Sequence, residues 1–311
     1  MSRPSTTRAG LAAAAALLLT TAFVPPAQAA LTTAEGTVAS CTIEMGSVTT
    51  AGDHTDRLIT AGTPPIVQAF PKHVGTKVYP PGQVRLSSSF VHDFEVGLWT
   101  AVGWVVQGDV LSRSSYTVEP TLGSYIDPPQ LIRIGGGWTN FRLVETTAYI
   151  PVQHGPVVRE TAYALRNDGA LFRWRVDGLV WHRTGDAGGF SAVKTMALIS
   201  KTATYDTFLA NTRGGALYTI RIPVGAPMKP VVQRVRTSTW QVFETLAAAK
   251  CGNSGDLLLG IDKGTGSGYL YAVGHANGLS TVIRGLGKVP ATFADPVDFR
   301  WRFDFDPLNG D

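Results

Sequence analysis

The chain has 311 residues, only 16% of them charged, while Gly (34) and Pro (19) together make 53. Its formal net charge is +4, of which Arg3 and Arg8 supply two, so everything beyond them sits near +2. A balance that small, with no basic cluster, excludes nucleic acid as an electrostatic partner, and low charge with many turn-formers suits a chain of short strands.

Residues 1–29 read as an export signal. Two arginines precede an apolar run from Ala9 to Val24, and Pro25-Pro26-Ala27-Gln28-Ala29 closes it with a small-x-small site, so cleavage is expected after Ala29. An uncleaved membrane anchor is the alternative, but the run is short against the ~20 residues a span needs. No later segment is long and apolar enough to cross a bilayer. Residues 30–311 are therefore expected to form a single secreted, extracellular, monomeric domain.

The only cysteines are Cys41 and Cys251. In an oxidising compartment they are expected to pair, closing a loop worth nominally about 5 kcal/mol; two separate buried thiols are the alternative. Between them, stretches 57–60 and 66–70 read as strands, and then a repeat begins. Ser89-Phe90-Val-His-Asp-Phe94 reads as a first, weak copy. Clearer copies are Ile134-Gly-Gly-Gly-Trp138-Thr-Asn-Phe141-Arg-Leu-Val144, Gly188-Gly-Phe190-Ser-Ala-Val193 and Thr239-Trp240-Gln-Val-Phe243. Thr292-Phe293-Ala-Asp-Pro-Val297 is a last, weaker one. The leading aromatics, 90, 138, 190, 240 and 293, are separated by 48, 52, 50 and 53 residues.

A hairpin follows each clear phrase. Tyr163-Ala-Leu-Arg-Asn-Asp-Gly169-Ala-Leu-Phe172-Arg-Trp174 is an apolar strand, a turn and an aromatic strand, and 208–220 and 258–273 repeat it; 105–111 is a weaker version. The Gly, Asn and Asp residues supply the positive φ that tight hairpins need. Units of about 50 residues with four strands stack as the blades of a β-propeller. The expected fold is all-β, a propeller of five four-stranded antiparallel blades. Four units run from about 88 to 290; the C-terminal strand joins the N-terminal stretch to complete the last blade. Cys41 then lies in the closing blade and Cys251 in its neighbour.

Leu131-Ile-Arg-Ile134-Gly-Gly-Gly137-Trp138-Thr-Asn-Phe141-Arg-Leu143 resembles the repeat of tachylectin-type lectins. In that repeat a basic residue and isoleucine precede glycines, Trp, two variable residues, Phe and a basic residue. Asn167-Asp-Gly169-Ala-Leu-Phe172 resembles the same family's hairpin. The resemblance covers about half the chain. It implies a five-bladed propeller that binds N-acetylated sugars of glycans or glycoconjugates between neighbouring blades, without catalysis. Gly-Gly-Trp at 136–138 becomes Gly-Gly-Phe at 188–190 and Ser-Thr-Trp at 238–240, so the resemblance does not imply equal sites.

Sugar binding sets an aromatic face against the pyranose and polar groups on its hydroxyls. Trp138, Asn140 and Arg142 offer these on one repeat, Asn167 and Asp168 on its hairpin, and Trp174 and Trp181 just beyond. The structural alternative is that Trp138 packs between sheets and that Asn-Asp-Gly is first a turn.

No cofactor or metal is expected. The histidines, 54, 73, 92, 154, 182 and 275, lack zinc spacing, no Gly-x-Ser-x-Gly elbow is present, and Gly264-Thr-Gly-Ser-Gly268 sits in a hairpin rather than before a helix. The enzymatic rival is a propeller-fold glycoside hydrolase with carboxylates in the central channel, for which Asp93, Glu95, Asp295 and Asp298 are candidates. A third class is an extracellular signalling or protein-binding propeller. A lectin requires Trp- and Asn-rich sites between blades, a hydrolase an axial carboxylate cluster, and a protein binder an exposed apolar patch.

Overall fold

The computed structural model describes residues 41–70, 75–95, 97–119, 121 and 124–311, with 93–95 as backbone alone. The expected leader, 1–29, and His73 lie outside the described residues. Every regular element within them is a strand, and none is a helix long and apolar enough to cross a membrane.

Strands β1 (Thr42–Val48), β2 (Arg57–Thr60) and β3 (Ile66–Ala69) form an antiparallel meander. Next, β4 (Val84–Ser87) and β5 (Phe90–Glu95) both pair with β6 (Leu98–Gln107), and the sheet continues through β7 (Val110–Glu119) to β8 (Ser124–Gly135). Three four-stranded antiparallel sheets follow. The first holds β9 (Phe141–Tyr149), β10 (Arg159–Arg166), β11 (Leu171–Asp177) and β12 (Val180–Ala187). The next holds β13 (Val193–Lys201), β14 (Tyr205–Thr212), β15 (Leu217–Pro223) and β16 (Val231–Arg236). The last holds β17 (Thr245–Cys251), β18 (Gly255–Asp262), β19 (Ser267–Val273) and β20 (Ile283–Thr292). Finally β21 (Val297–Arg302) returns to pair antiparallel with β1, Met45 facing Arg300 and Val48 facing Val297, as expected from the sequence. A short parallel contact, Trp301 to Phe90 and Arg302 to Val91, links β21 to β5 and joins this closing half to the β4–β8 half.

The sheets form where the hairpin signals lie. Asn167, Asp168 and Gly169 turn between β10 and β11; Gly169 has φ 90°, the left-handed region that glycine tolerates. A Cβ there would meet the Ser191 backbone nitrogen at 2.1 Å, so that turn also needs glycine for space. The aromatic phrase is not a strand but the link between sheets. The N–H groups of Trp138, Phe190, Trp240 and Phe293 donate to the turn carbonyls of Asp109, Gly169, Gly215 and Gly266, each in the preceding hairpin. A donor from the preceding sheet then holds the first three of these links. Arg85 donates to the carbonyls of Trp138 and Phe141 at 2.6 and 3.0 Å. Arg142 donates to those of Phe190 and Val193 at 3.0 and 2.9 Å, and Asn211 to those of Trp240 and Phe243 at 2.7 and 2.9 Å.

This pattern relocates the first copy of the repeat. Arg85 occupies the slot of Arg142, so the earlier copy is Pro81-Gly-Gln-Val84-Arg85 and not Ser89-Phe90. Phe90 is instead a fully buried residue of β5, and a Cβ on Gly103 would lie 2.4 Å from its ring.

The closing half is built differently. Cys41 and Cys251 form a disulfide across 210 residues of sequence, tying the entry to β1 to the end of β17. His54 sits buried among the rings of Tyr79, Phe90, Tyr116, Phe299 and Trp301, with centroids 4.8 to 5.7 Å away. Burial lowers its pKa to about 3, so it packs as a neutral ring with Nδ1 2.9 Å from the Tyr116 hydroxyl. The last residues run antiparallel beside the edge of β13: Lys201 N–H donates to Leu308 O and Gly310 N–H to Ile199 O. The Asp311 carboxylate accepts from Arg221 at 2.7 and 2.9 Å.

Hydrophobic cores fill the spaces between adjacent sheets. Inside them the leading strands meet: β4 touches β9, β9 touches β13, β13 touches β17, β17 touches β1 and β21, and β21 touches β4. Meander sheets arrayed by their first strands around a common axis make a β-propeller.

Candidate functional site

The leading strands surround a cavity of about 250 Å³ on that axis. A leading strand in a propeller faces neighbouring strands on its flanks and the axis at its edge, so polar side chains there converge. Among the lining residues, Glu145 comes from β9, Lys201 from β13, Glu244 from the approach to β17, Lys263 from the β18–β19 turn, and Asp298, Arg300 and Arg302 from β21.

Two carboxyl groups stand out. Both oxygens of Glu145 are held: Oε1 accepts from the backbone N–H of Ser89 at 3.1 Å and of Thr146 at 2.9 Å, and Oε2 from the Ser89 hydroxyl at 3.0 Å. Burial raises its pKa, against the pull of Arg300. Asp298 is buried beside the ammonium of Lys263, which also donates to the carbonyl of Asp295 at 2.5 Å. Burial outweighs Lys263 and brings the Asp298 pKa to about 6. A carboxyl group with a pKa in that range holds or releases a proton near neutrality.

Farther along the axis the charges are already paired. Asp306 is gripped by Arg300, and Lys201 lies 3.5 Å from it. Burial alone would raise Asp306, but Arg300 and Lys201 hold it below the usual carboxylate range. Asp256 nearby is 1% exposed with neither oxygen hydrogen-bonded, and burial lifts its pKa well above normal. A Cβ on Gly310 would sit on that carboxyl group, so the C-terminal segment packs against it.

Of the sequence-derived sugar residues, Trp138, Trp174 and Trp181 are gathered elsewhere, between the β4–β8 half and the β9–β12 sheet, while Asn167 and Asp168 lie in the β10–β11 turn and Arg142 reaches toward the β13–β16 sheet. Trp138 is 6% exposed and packs with Phe141, Trp174 and Trp181. Trp181 lies edge-on to Trp104, and Trp174 is half-buried against Phe172. The guanidinium of Arg142 is occupied by three carbonyls, those of Arg166, Phe190 and Val193. Asn140 and Asn167 are exposed and meet through their backbones, Asn167 N–H to Asn140 O at 2.8 Å. Asp168 pairs with Arg166 and caps the Ala170 N–H; the hydrogen bonds from Arg166 lower its pKa to about 2. Trp138 is thus engaged in packing, Asp168 in turn closure and the guanidinium of Arg142 in holding the link to the next sheet.

Of the carboxylates offered for the enzymatic reading, Asp298 lines the axial cavity. Asp295 accepts a hydrogen bond from Ser47 at 2.5 Å outside it. Asp93 and Glu95 lie on β5, their side chains outside the described residues. Glu145 and Arg302 were not singled out by sequence reasoning. The one signal for Glu145 is a carboxylate in the middle of an otherwise half-apolar leading strand.

No family model matches this chain, and no curated protein matches it. Among solved structures, the chain is similar in trace to an α-L-arabinofuranosidase from Podospora anserina in complex with cellotriose. That match has 13% identity and a TM-score of 0.41, and covers 70% of this chain and 73% of that one. The catalytic domain of a Coprinopsis cinerea GH62 α-L-arabinofuranosidase matches at 14% identity over the same shares, with a TM-score of 0.43. A periplasmic gluconolactonase from Pseudomonas aeruginosa matches at 10% identity over 86% of this chain and 100% of that one, with a TM-score of 0.39. Likenesses this distant carry nothing about substrate.

Proposed function

We propose that this chain is a secreted five-bladed propeller, one domain over residues 30–311 once the leader 1–29 is removed, and that it acts on glycans as a glycoside hydrolase at the axial cavity. The blades are the closing half, the β4–β8 half and the three four-stranded sheets. The disulfide suits an oxidising compartment.

One observation carries the hydrolase reading over the lectin reading. Carboxyl groups from separate blades, Glu145 and Asp298, converge on one small polar cavity, while Trp138, offered as a stacking platform for sugar, is turned into the core. Glycoside hydrolysis needs one carboxyl group that keeps a proton to give to the leaving oxygen and a second that is charged. Asp298, with a pKa near 6, is the proton donor. Glu145 is the second carboxyl group, its oxygens fixed by three donors that favour the anion against the burial that raises its pKa.

The test is a panel of aryl glycosides and polysaccharides assayed for released chromophore and reducing ends, beside calorimetric binding of the same glycans. Turnover by the wild type is expected, with Asp298→Asn and Glu145→Gln each lowering kcat by about 10² to 10⁴. Glycan binding without turnover would replace the hydrolase with a lectin, and neither binding nor turnover would remove both.

A further inference from the structure

A second and larger cavity, about 530 Å³, lies between the β4–β8 half and the β9–β12 sheet. Much of its wall is aliphatic, with Val91, Val102, Ile132, Ile150, Val157 and Leu179 among the lining residues. Arg302 lies where this cavity approaches the axial one, and the two share only Ser89, Thr146 and Arg302.

Arg302 is 7% exposed, and its charge is met only at a distance, by Asp306, Glu145 and Asp304. Its Nε hydrogen finds no acceptor. Nη1 reaches only the carbonyl of the adjacent Phe303, at 3.5 Å. Among the described residues no carboxylate is in ion-pair contact with it, and Asp306, the acid on the neighbouring tail, is taken up by Arg300 and Lys201. Glu160, Asp304 and Arg113 also line the cavity, none of them ion-paired or hydrogen-bonded through its side chain. They balance charge at a distance but give Arg302 no acceptor. A guanidinium stays protonated at any ordinary pH and carries five donors, and a buried charge without a hydrogen-bonded partner is costly.

We infer that this cavity binds a small amphipathic carboxylate, its two oxygens on the Arg302 guanidinium and its apolar body against the aliphatic walls. A planar two-oxygen acceptor matches the guanidinium fork in geometry and charge. A neutral sugar would leave the aliphatic wall facing hydroxyl groups, and an amine would face a cation. This site adjoins the axial one at Arg302 but does not rest on the hydrolase reading.

Titration calorimetry of the intact chain with sodium octanoate, 1-octanol and octylamine tests it. Octanoate is expected to bind at least ten-fold more tightly than either of the others. Arg302→Met should reduce octanoate to the level of octanol. Leu179→Trp, a change in an exposed turn at the cavity wall, should weaken octanoate at least ten-fold with folding intact, and so decides the matter if Arg302→Met does not fold. Octanoate binding no tighter than octanol, no binding at all, or a preference that survives Leu179→Trp and folded Arg302→Met would overturn the inference.

Discussion

The repeated sheets and the closing half solve the same problem with different chemistry. From β9 to β20 each sheet is joined to the next by continuous chain, and a single polar donor, Arg142 or Asn211, fastens the link. In the closing half β1 and β21 come from the two ends of the described chain, and continuous chain ties only β21 to the sheet before it, through the Phe293 link. There the work falls to a disulfide spanning 210 residues, a buried ring cluster around His54 and a C-terminal segment paired with the edge of β13. Local restraint suffices where the backbone already supplies proximity; where it does not, the loop entropy has to be removed by long-range staples.

Breaking the staple should have the largest effect. Cys41→Ala with Cys251→Ala is expected to cost up to about 5 kcal/mol by the loop-entropy relation, read as a lower urea midpoint. Hydrogen exchange should rise in β1–β3 before β9–β16; equal loss throughout would erase the contrast between the two regions. Next comes a pH effect at Asp298 in the closing half. Burial keeps Asp298 protonated up to about pH 6, so the folded chain holds a proton that the unfolded chain has released. Stability is then full below about pH 4 and falls as pH rises toward 6, by about 3 kcal/mol for a shift of about two units. Asp298→Asn should flatten that segment of the stability profile, and an unchanged slope would show that Asp298 is not its source. The smallest effect sharpens the repeated side. Asn211→Ala removes two hydrogen bonds to link carbonyls and one accepted from the Thr195 N–H. It should cost about 2 kcal/mol with no pH dependence between 4 and 8, measured by denaturant melts at both ends of that range.

The same contrast decides what could be read from the residues alone. The hairpins from β10 to β19 were legible because turn chemistry is local and Gly169 and Gly215 mark left-handed positions. The pairing of Cys41 with Cys251 followed from their being the only two. The first copy of the repeat was misplaced because Pro81-Gly-Gln-Val84-Arg85 has no aromatic, whereas Phe90 nine residues on mimics one; only the reach of Arg85 to Trp138 and Phe141 reveals the true slot. The site was half legible. Asp298 was in view as a late carboxylate. Glu145 was not, because its partner Ser89 lies 56 residues away and only the meeting of β4 with β9 brings them together. Trp138 carried the strongest motif and packs against Phe141, Trp174 and Trp181. A large aromatic in a repeat satisfies packing between sheets as readily as it satisfies a ligand.

The fastening of each link has a consequence for how such a chain tolerates change. The acceptors are main-chain carbonyls, which every residue possesses whatever its side chain, so substitution at positions 138, 141, 190, 193, 240 and 243 cannot abolish the keyhole. Only the key must be kept, and even its origin has wandered: Arg142 reaches from a leading strand, Asn211 from the second strand of its sheet, while Lys194, in the slot of Arg142, has moved on to the carbonyl of Gln241. Divergent modules can thus stay interlocked long after their wording has ceased to match.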